Sequence, residues 1–270
     1  MMIEAVSSSP KTGARRRIAV FLGSGSSSRR VLNALLPLLE RPAAADLEGV
    51  FIEDSGLQAA AELPFVKELC WLTSDVRDFG AADVRREITR RMHEARRLFE
   101  KAAERAGAGC SFRNASGPTL VLLREAASAA DITLFEPTRA SALALLQRGN
   151  PPPTGAGRIV VALDDRATAR ALIDVAWELA GPRPGRIAVL ITPSAQSDED
   201  LETTLRETLP RGRHIVDRLP DNRVDSLIDA SRRLGAACLV VPATEALLEG
   251  EPLGRLREGV NCPVVMVRGN

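Results

Sequence analysis

Short apolar runs alternate with longer stretches of helical period along this chain. RIAVFLG (17–23) and RIVVALD (158–164) each run into a short polar loop. Apolar residues at helical spacing follow both, in RRVLNALLPLLERP (29–42) and ARALIDVAWELAGP (169–182). A second apolar run comes next in each place, LEGVFIED (47–54) and RIAVLITP (186–193). Further on, AADITLFEPT (129–138) corresponds to AACLVVPAT (236–244). Continuous apolar runs fit strands buried on both faces, and their alternation with helices fits parallel sheets with right-handed crossovers. The pattern predicts an α/β protein of two tandem, doubly wound parallel-sheet units.

The second unit is complete, with strands at 158–164, 186–192, 213–218, 237–242 and 262–268. Its helices fall at about 167–180, 197–209, 222–234 and 244–258. The first has strands at 17–23, 47–53, 109–114 and 131–136 and lacks a fifth, because SALALLQRGN runs into PPPTGAG. Residues 1–15 read as a disordered, mildly basic lead, 16–149 as the first unit, 150–157 as a Pro/Gly linker and 158–270 as the second unit. An insertion at 55–83 carries Phe65 and Trp71 beside Leu69 and Phe79; it either caps the sheet edge or contacts a partner. The stretch 83–107 is a charged helix with one apolar stripe through Val84, Ile88, Met92, Ala95, Phe99, Ala102 and Ala106. Asp83 is its expected N-cap and Gly107 its stop. Its arginines are interleaved with Glu87, Glu94, Glu100 and Glu104, so the outer face reads as solvated rather than as a basic stripe.

Composition narrows the function classes. Apolar residues make up 45% of the 270, enough for a core, and the net charge of +1 gives no field that would draw nucleic acid or an anionic membrane. No apolar run reaches the roughly 18 residues of a membrane span. The start of the chain lacks the apolar centre of a secretion signal, so a cytoplasmic address is expected. Cys70, Cys110, Cys238 and Cys262 form no Cys-x-x-Cys pair and read as buried, reduced thiols. His93 and His214 lack ligand spacing, so no metal site is expected.

Two places carry candidate chemistry. In GSGSSSRR (23–30), Ser24, Gly25, Ser26 and Ser27 offer amides and hydroxyls, and Arg29 or Arg30 a charge, for an anion at a helix N-terminus. The same residues make a serine-capped turn, which is the preferred reading. Asp164-Asp165 is a carboxylate pair at a strand end, read as an N-cap plus a surface acid rather than a metal site. No nucleophile–base set is suggested by position, and no enzymatic activity is expected.

RIVVALDD (158–165) and above all GEPLGRLREGVNCPVVMVR (250–268) resemble the universal stress protein family. The doubled element order resembles a tandem, divergent member. The resemblance implies a Rossmann-like fold, a last helix opening at Gly250, and Asp164 near a bound nucleotide, ATP or AMP. Family members that bind ATP hold its phosphates with a Gly-x-x-Gly pair and a later Gly-Ser or Gly-Thr. Here ATEALLEGEP lacks the glycine pair, and Glu251 stands at the hydroxyl position. A carboxylate about 4 Å from a phosphate opposes it by roughly 4 kcal/mol at an effective dielectric near 20. A helix N-terminus contributes only about 0.3–1 kcal/mol per charge. In the first unit Gly23 stands at the aspartate position and FEPTRASALALLQRGN again lacks the pair.

The expectation is a non-catalytic stress-response or regulatory protein with degenerate nucleotide sites, acting through a partner protein or small ligand. An adenine-nucleotide binder with slow ATP hydrolysis is one alternative. A scaffold docking an enzyme complex through Phe65 and Trp71 is another. In the family, last strands pair across a dimer. The first unit lacks that strand, which leaves CPVVMVR (262–268) as an apolar edge needing cover. A homodimer through this strand is therefore expected, with Val264 and Val265 in the contact.

Overall fold

The computed structural model describes residues 15–23, 28–39, 45–53, 55–63, 67–69, 76–78, 80–137, 157–196, 199–209 and 214–269. The first half contributes β1 (Arg16–Gly23), β2 (Ala45–Ile52), the short pair β3 (Lys67–Leu69) and β4 (Val76–Asp78), β5 (Gly109–Ala115) and β6 (Ile132–Phe135). The second contributes β7 (Arg158–Leu163), β8 (Ile187–Ile191), β9 (Ile215–Arg218), β10 (Ala236–Pro242) and β11 (Val264–Val267). β3 and β4 pair antiparallel by themselves inside the 55–83 insertion. The other nine strands form one sheet, in the order β5-β2-β1-β6-β11-β10-β7-β8-β9.

The fold is a Rossmann-like α/β sheet, as the apolar pattern predicts. Within the nine-stranded sheet, the strands of each half run parallel. Counted along the chain, each half sets its strands third-second-first-fourth, and the second half adds a fifth. Side chains alternate between two apolar layers. Ile18, Val20 and Leu22 join helices Ser28–Leu39, Ala81–Ala106, Arg166–Ala180 and Glu199–Thr208 on one face. Ala19 and Phe21 join helices Thr119–Ala129, Val224–Arg233 and Glu251–Gly259 on the other. Each fully buried Leu or Phe side chain in these layers contributes roughly 1.5–3 kcal/mol.

The two halves meet differently from the expectation. β11 is no open edge: it lies between β10 and β6, parallel to the first and antiparallel to the second. Val264 and Val265 are fully buried within one chain, so they cannot form a dimer contact. Among the described residues the first half has no strand after β6, and β11 of the second half takes the β6 edge. Side chains seal the same seam. Arg16 pairs with the buried Glu178 at 2.7 Å, and Arg268 pairs with Asp131 at 3.1 Å.

Helix boundaries follow local chemistry. The charged helix begins at Ala81 behind Gly80, and Asp83 lies in its first turn, paired with Arg86, instead of capping it. Val84, Ile88, Ala95, Phe99 and Ala102 are buried as expected, while Ala106 is exposed. Gly107 ends the helix at φ 62°, a left-handed position that suits glycine. The stretch expected as one helix at 244–258 is two, Glu245–Leu248 and Glu251–Gly259. Gly250 breaks it at φ 76° and ψ −139°, and Pro252 lies in the first turn of the second helix.

Candidate functional site

Open parallel sheets bind ligands at the carboxyl ends of their strands, where the chain order reverses direction. In the second half that point falls between β7 and β10. A cleft of about 480 Å³ lies there. Buried Ala162, Leu219, Leu227 and Val241 give it an apolar wall. Polar groups come from residues beyond the strand ends: Asp164 directly after β7, Thr192 directly after β8, and Asn222 and Thr244 in the segments that follow β9 and β10.

The adjacent acids Asp164 and Asp165 serve different ends. Asp165 caps helix Arg166–Ala180, accepting from the Thr168 N–H at 2.7 Å and the Thr168 hydroxyl at 2.8 Å. Asp164 lines the cleft and accepts from the Thr192 hydroxyl at 2.8 Å. No group of three metal-binding side chains occurs among the described residues. Across the cleft, Asn222 donates to the Ser194 hydroxyl at 2.8 Å, and Thr244 caps Glu245–Leu248.

Four charges form a ladder along one side of the cleft. Arg255 reaches Glu251 at 2.7 Å and Asp225 at 2.9 Å, and Asp225 also meets Arg223 at 3.3 Å. The ladder ties helix Val224–Arg233 to helix Glu251–Gly259. The Glu251 carboxylate, followed by that of Asp225, raises the Arg255 pKa above its usual value. Glu251 is thus not the bare repulsive charge that the sequence suggests. Arg255 screens it, and in doing so is no longer free to meet a phosphate. Gly250 is exposed and lies outside the cleft lining, though its neighbours Glu251 and Pro252 are part of it.

The first half has no counterpart cleft of this kind among the described residues. The end of β6 carries Glu136, whose carboxylate accepts from the Val31 N–H in the first turn of helix Ser28–Leu39. Its Oε1 is buried without a hydrogen-bond partner. Burial pushes its pKa up to about 7 against the opposing pull of the Val31 amide and Arg30. At the described start of helix Ser28–Leu39, the Val31 N–H is thus answered by the chain's own carboxyl group.

Ser24, Gly25, Ser26 and Ser27 lie outside the described residues, as does the side chain of Arg29. Phe65, Trp71 and Phe79 also lie outside them. Cys238 and Cys262 are buried and free, and burial pushes the Cys262 thiol up to about 12, so neither is a nucleophile. Cys110 differs from the expectation in being exposed, on edge strand β5. His93 is exposed on its helix. No described helix is long and apolar enough to cross a membrane.

Thr192, Asp225 and Arg255 were not singled out by the sequence, because four separate segments deliver the lining. The signal available for Thr192 was its place as the first polar residue after an apolar strand run, the place Asp164 also holds.

No protein-family model matches the chain, and no curated protein matches it in sequence. Solved structures of similar fold include a universal stress protein from Archaeoglobus fulgidus, at 11% identity and TM-score 0.49, covering 93% of this chain and 96% of that one. A candidate universal stress protein from Pseudomonas aeruginosa is 14% identical at TM-score 0.45, covering 94% of each chain. The cytoplasmic domain of a prokaryotic cation chloride cotransporter is 8% identical at TM-score 0.41, covering 94% of this chain and 96% of that one. At these identities the likeness concerns the fold and says nothing of ligand or partner.

Proposed function

We propose that this chain is a tandem, divergent member of the universal stress protein family, acting as a non-catalytic regulatory protein. In this reading its two halves are copies of one unit, and the β7–β10 cleft of the second half binds a small ligand. The observation that carries the proposal is the pairing of that cleft with the Glu251–Arg255–Asp225 ladder. The cleft has room for a ligand, while the ladder stands on the helix whose start would face phosphates in the family pattern. Without the spaced glycines, no row of bare amides is offered there. The first half is closed in this reading, its helix terminus answered by Glu136.

An adenine-nucleotide binder is the second reading, favoured by the cleft's place at the switch point and by Asp164 in its lining. Thermal unfolding of the full chain with millimolar ATP, ADP, AMP and cyclic nucleotides, with and without magnesium, decides between them. A ligand at 100 times its dissociation constant adds about 2.7 kcal/mol of stability, a shift of several degrees. Unchanged melting with all of them is expected. A clear shift with ATP that Asp164→Ala abolishes would replace the first reading with the second.

A further inference from the structure

The cleft holds one charge more than its ion pairs account for. Its lining carries three carboxylates, Asp164, Asp225 and Glu251, and two guanidinium groups, Arg223 and Arg255. Both arginines are engaged in the ladder with Asp225 and Glu251. The partner of Asp164 among the described residues is the Thr192 hydroxyl, a neutral donor. This half-buried carboxylate stands beside the apolar wall of Ala162, Leu219, Leu227 and Val241.

Three kinds of occupant fare differently here. A polyanion meets a surplus negative charge and must open the Arg223–Asp225 pair, or both pairs of Arg255, to reach a guanidinium. A wholly apolar molecule strips water from Asp164 and returns no hydrogen bond, which penalises binding. A cation restores what Asp164 loses, because a charge-assisted N–H donor replaces the water and balances the carboxylate. The surrounding wall then takes an apolar body, in the usual manner of small-molecule sites with a few placed polar groups.

We infer that the cleft takes a small molecule bearing a protonated amine on an apolar body, with the ammonium on Asp164. This inference rests on the reading of the cleft as a ligand site. Asp164 is then the group that sets charge preference, and Thr192 holds its carboxylate toward the ligand.

The test is calorimetric titration of the full chain with two matched pairs of probes. Tryptamine is set against indole-3-propionate, and phenethylamine against 3-phenylpropionate; each pair shares a body and differs in the sign of its charge. The expected result is that at least one amine binds about tenfold or more tightly than its matched acid, a difference of about 1.4 kcal/mol. In Asp164→Asn, which keeps an acceptor for Thr192, that preference is expected to fall to within about twofold with the melting temperature unchanged. The matched pairs on the native chain decide the charge class, so the outcome does not depend on the variant folding. An acid that binds as tightly as its amine overturns the ligand class and leaves the cleft as a site. So does a preference that survives in folded Asp164→Asn. Silence from all four probes also overturns the ligand class, and silence from the nucleotides as well takes the cleft reading with it.

Discussion

Val265 of β11 stands opposite Leu134 of β6, in an antiparallel pair that joins the last described strand of the second half to the border strand of the first. Both residues are fully buried. Val265→Asp places a charge inside the sheet, at a cost of several kcal/mol. The expected outcome is loss of the cooperative thermal transition or a fall in Tm of more than about 10 °C. Light scattering on the same samples separates this from an assembly defect. A folded variant whose mass merely halves would place β11 at a dimer contact after all.

Glu136 sets a pH dependence of definite sign. Its folded pKa is raised from 4.5 to about 7, chiefly by burial. The stability linked to its proton is therefore complete below about pH 4.5 and is lost as pH climbs through about 7. A shift of this size corresponds to roughly 3 kcal/mol. Glu87, lowered to about 2 chiefly by its hydrogen bond to Arg90, has its window at lower pH and does not interfere. Glu136→Gln should raise the urea midpoint at pH 8, leave it nearly unchanged at pH 4, and flatten the profile between. An unaltered profile would mean that Glu136 stays ionised and solvated.

Gly250 holds the break before the last helix at φ 76° and ψ −139°. A Cβ there would meet no atom closer than Pro252 Cδ at 3.9 Å, so the effect of Gly250→Ala is backbone strain without a clash. The expected loss is about 1–3 kcal/mol by chemical denaturation. A loss near zero would mean that the two helices can join, and that the Glu251–Arg255 ladder does not depend on this bend.

Much of the fold was legible because its determinants are local. RIVVAL has no polar face to turn outward, so a strand covered on both sides was the consistent reading. Phe99 and its partners on Ala81–Ala106 repeat at helical spacing around a single stripe. The β6–β11 pairing was not legible, because ITLF and VVMV state only that both faces are buried. Any apolar neighbour satisfies that condition, and register between distant strands is written in no local pattern. The helix break had a signal in Gly-Glu-Pro at 250–252, a glycine followed by a first-turn proline.

The site divides in the same way. The pair Asp164-Asp165 was read as an N-cap plus a surface acid; Asp165 is the cap, while Asp164 is half-buried in the cleft rather than a surface acid. The ladder was hidden, since Arg255 and Asp225 lie on different helices and meet only once the sheet has set those helices side by side. Glu136 was read as the last residue of a strand; a carboxylate directly after an apolar run was the sign that it would be drawn under cover.

A single strand shared by both halves also sets a timetable. During synthesis β6 leaves the ribosome long before β11, and nascent chains generally fold from the N-terminal side first. β6 therefore emerges well before the strand that covers it, the condition in which strands recruit wrong partners. A message cut short before residue 264 would strip cover from β6 and β10 together. For this chain, cover of the first half is written about 130 residues downstream of the strand that needs it.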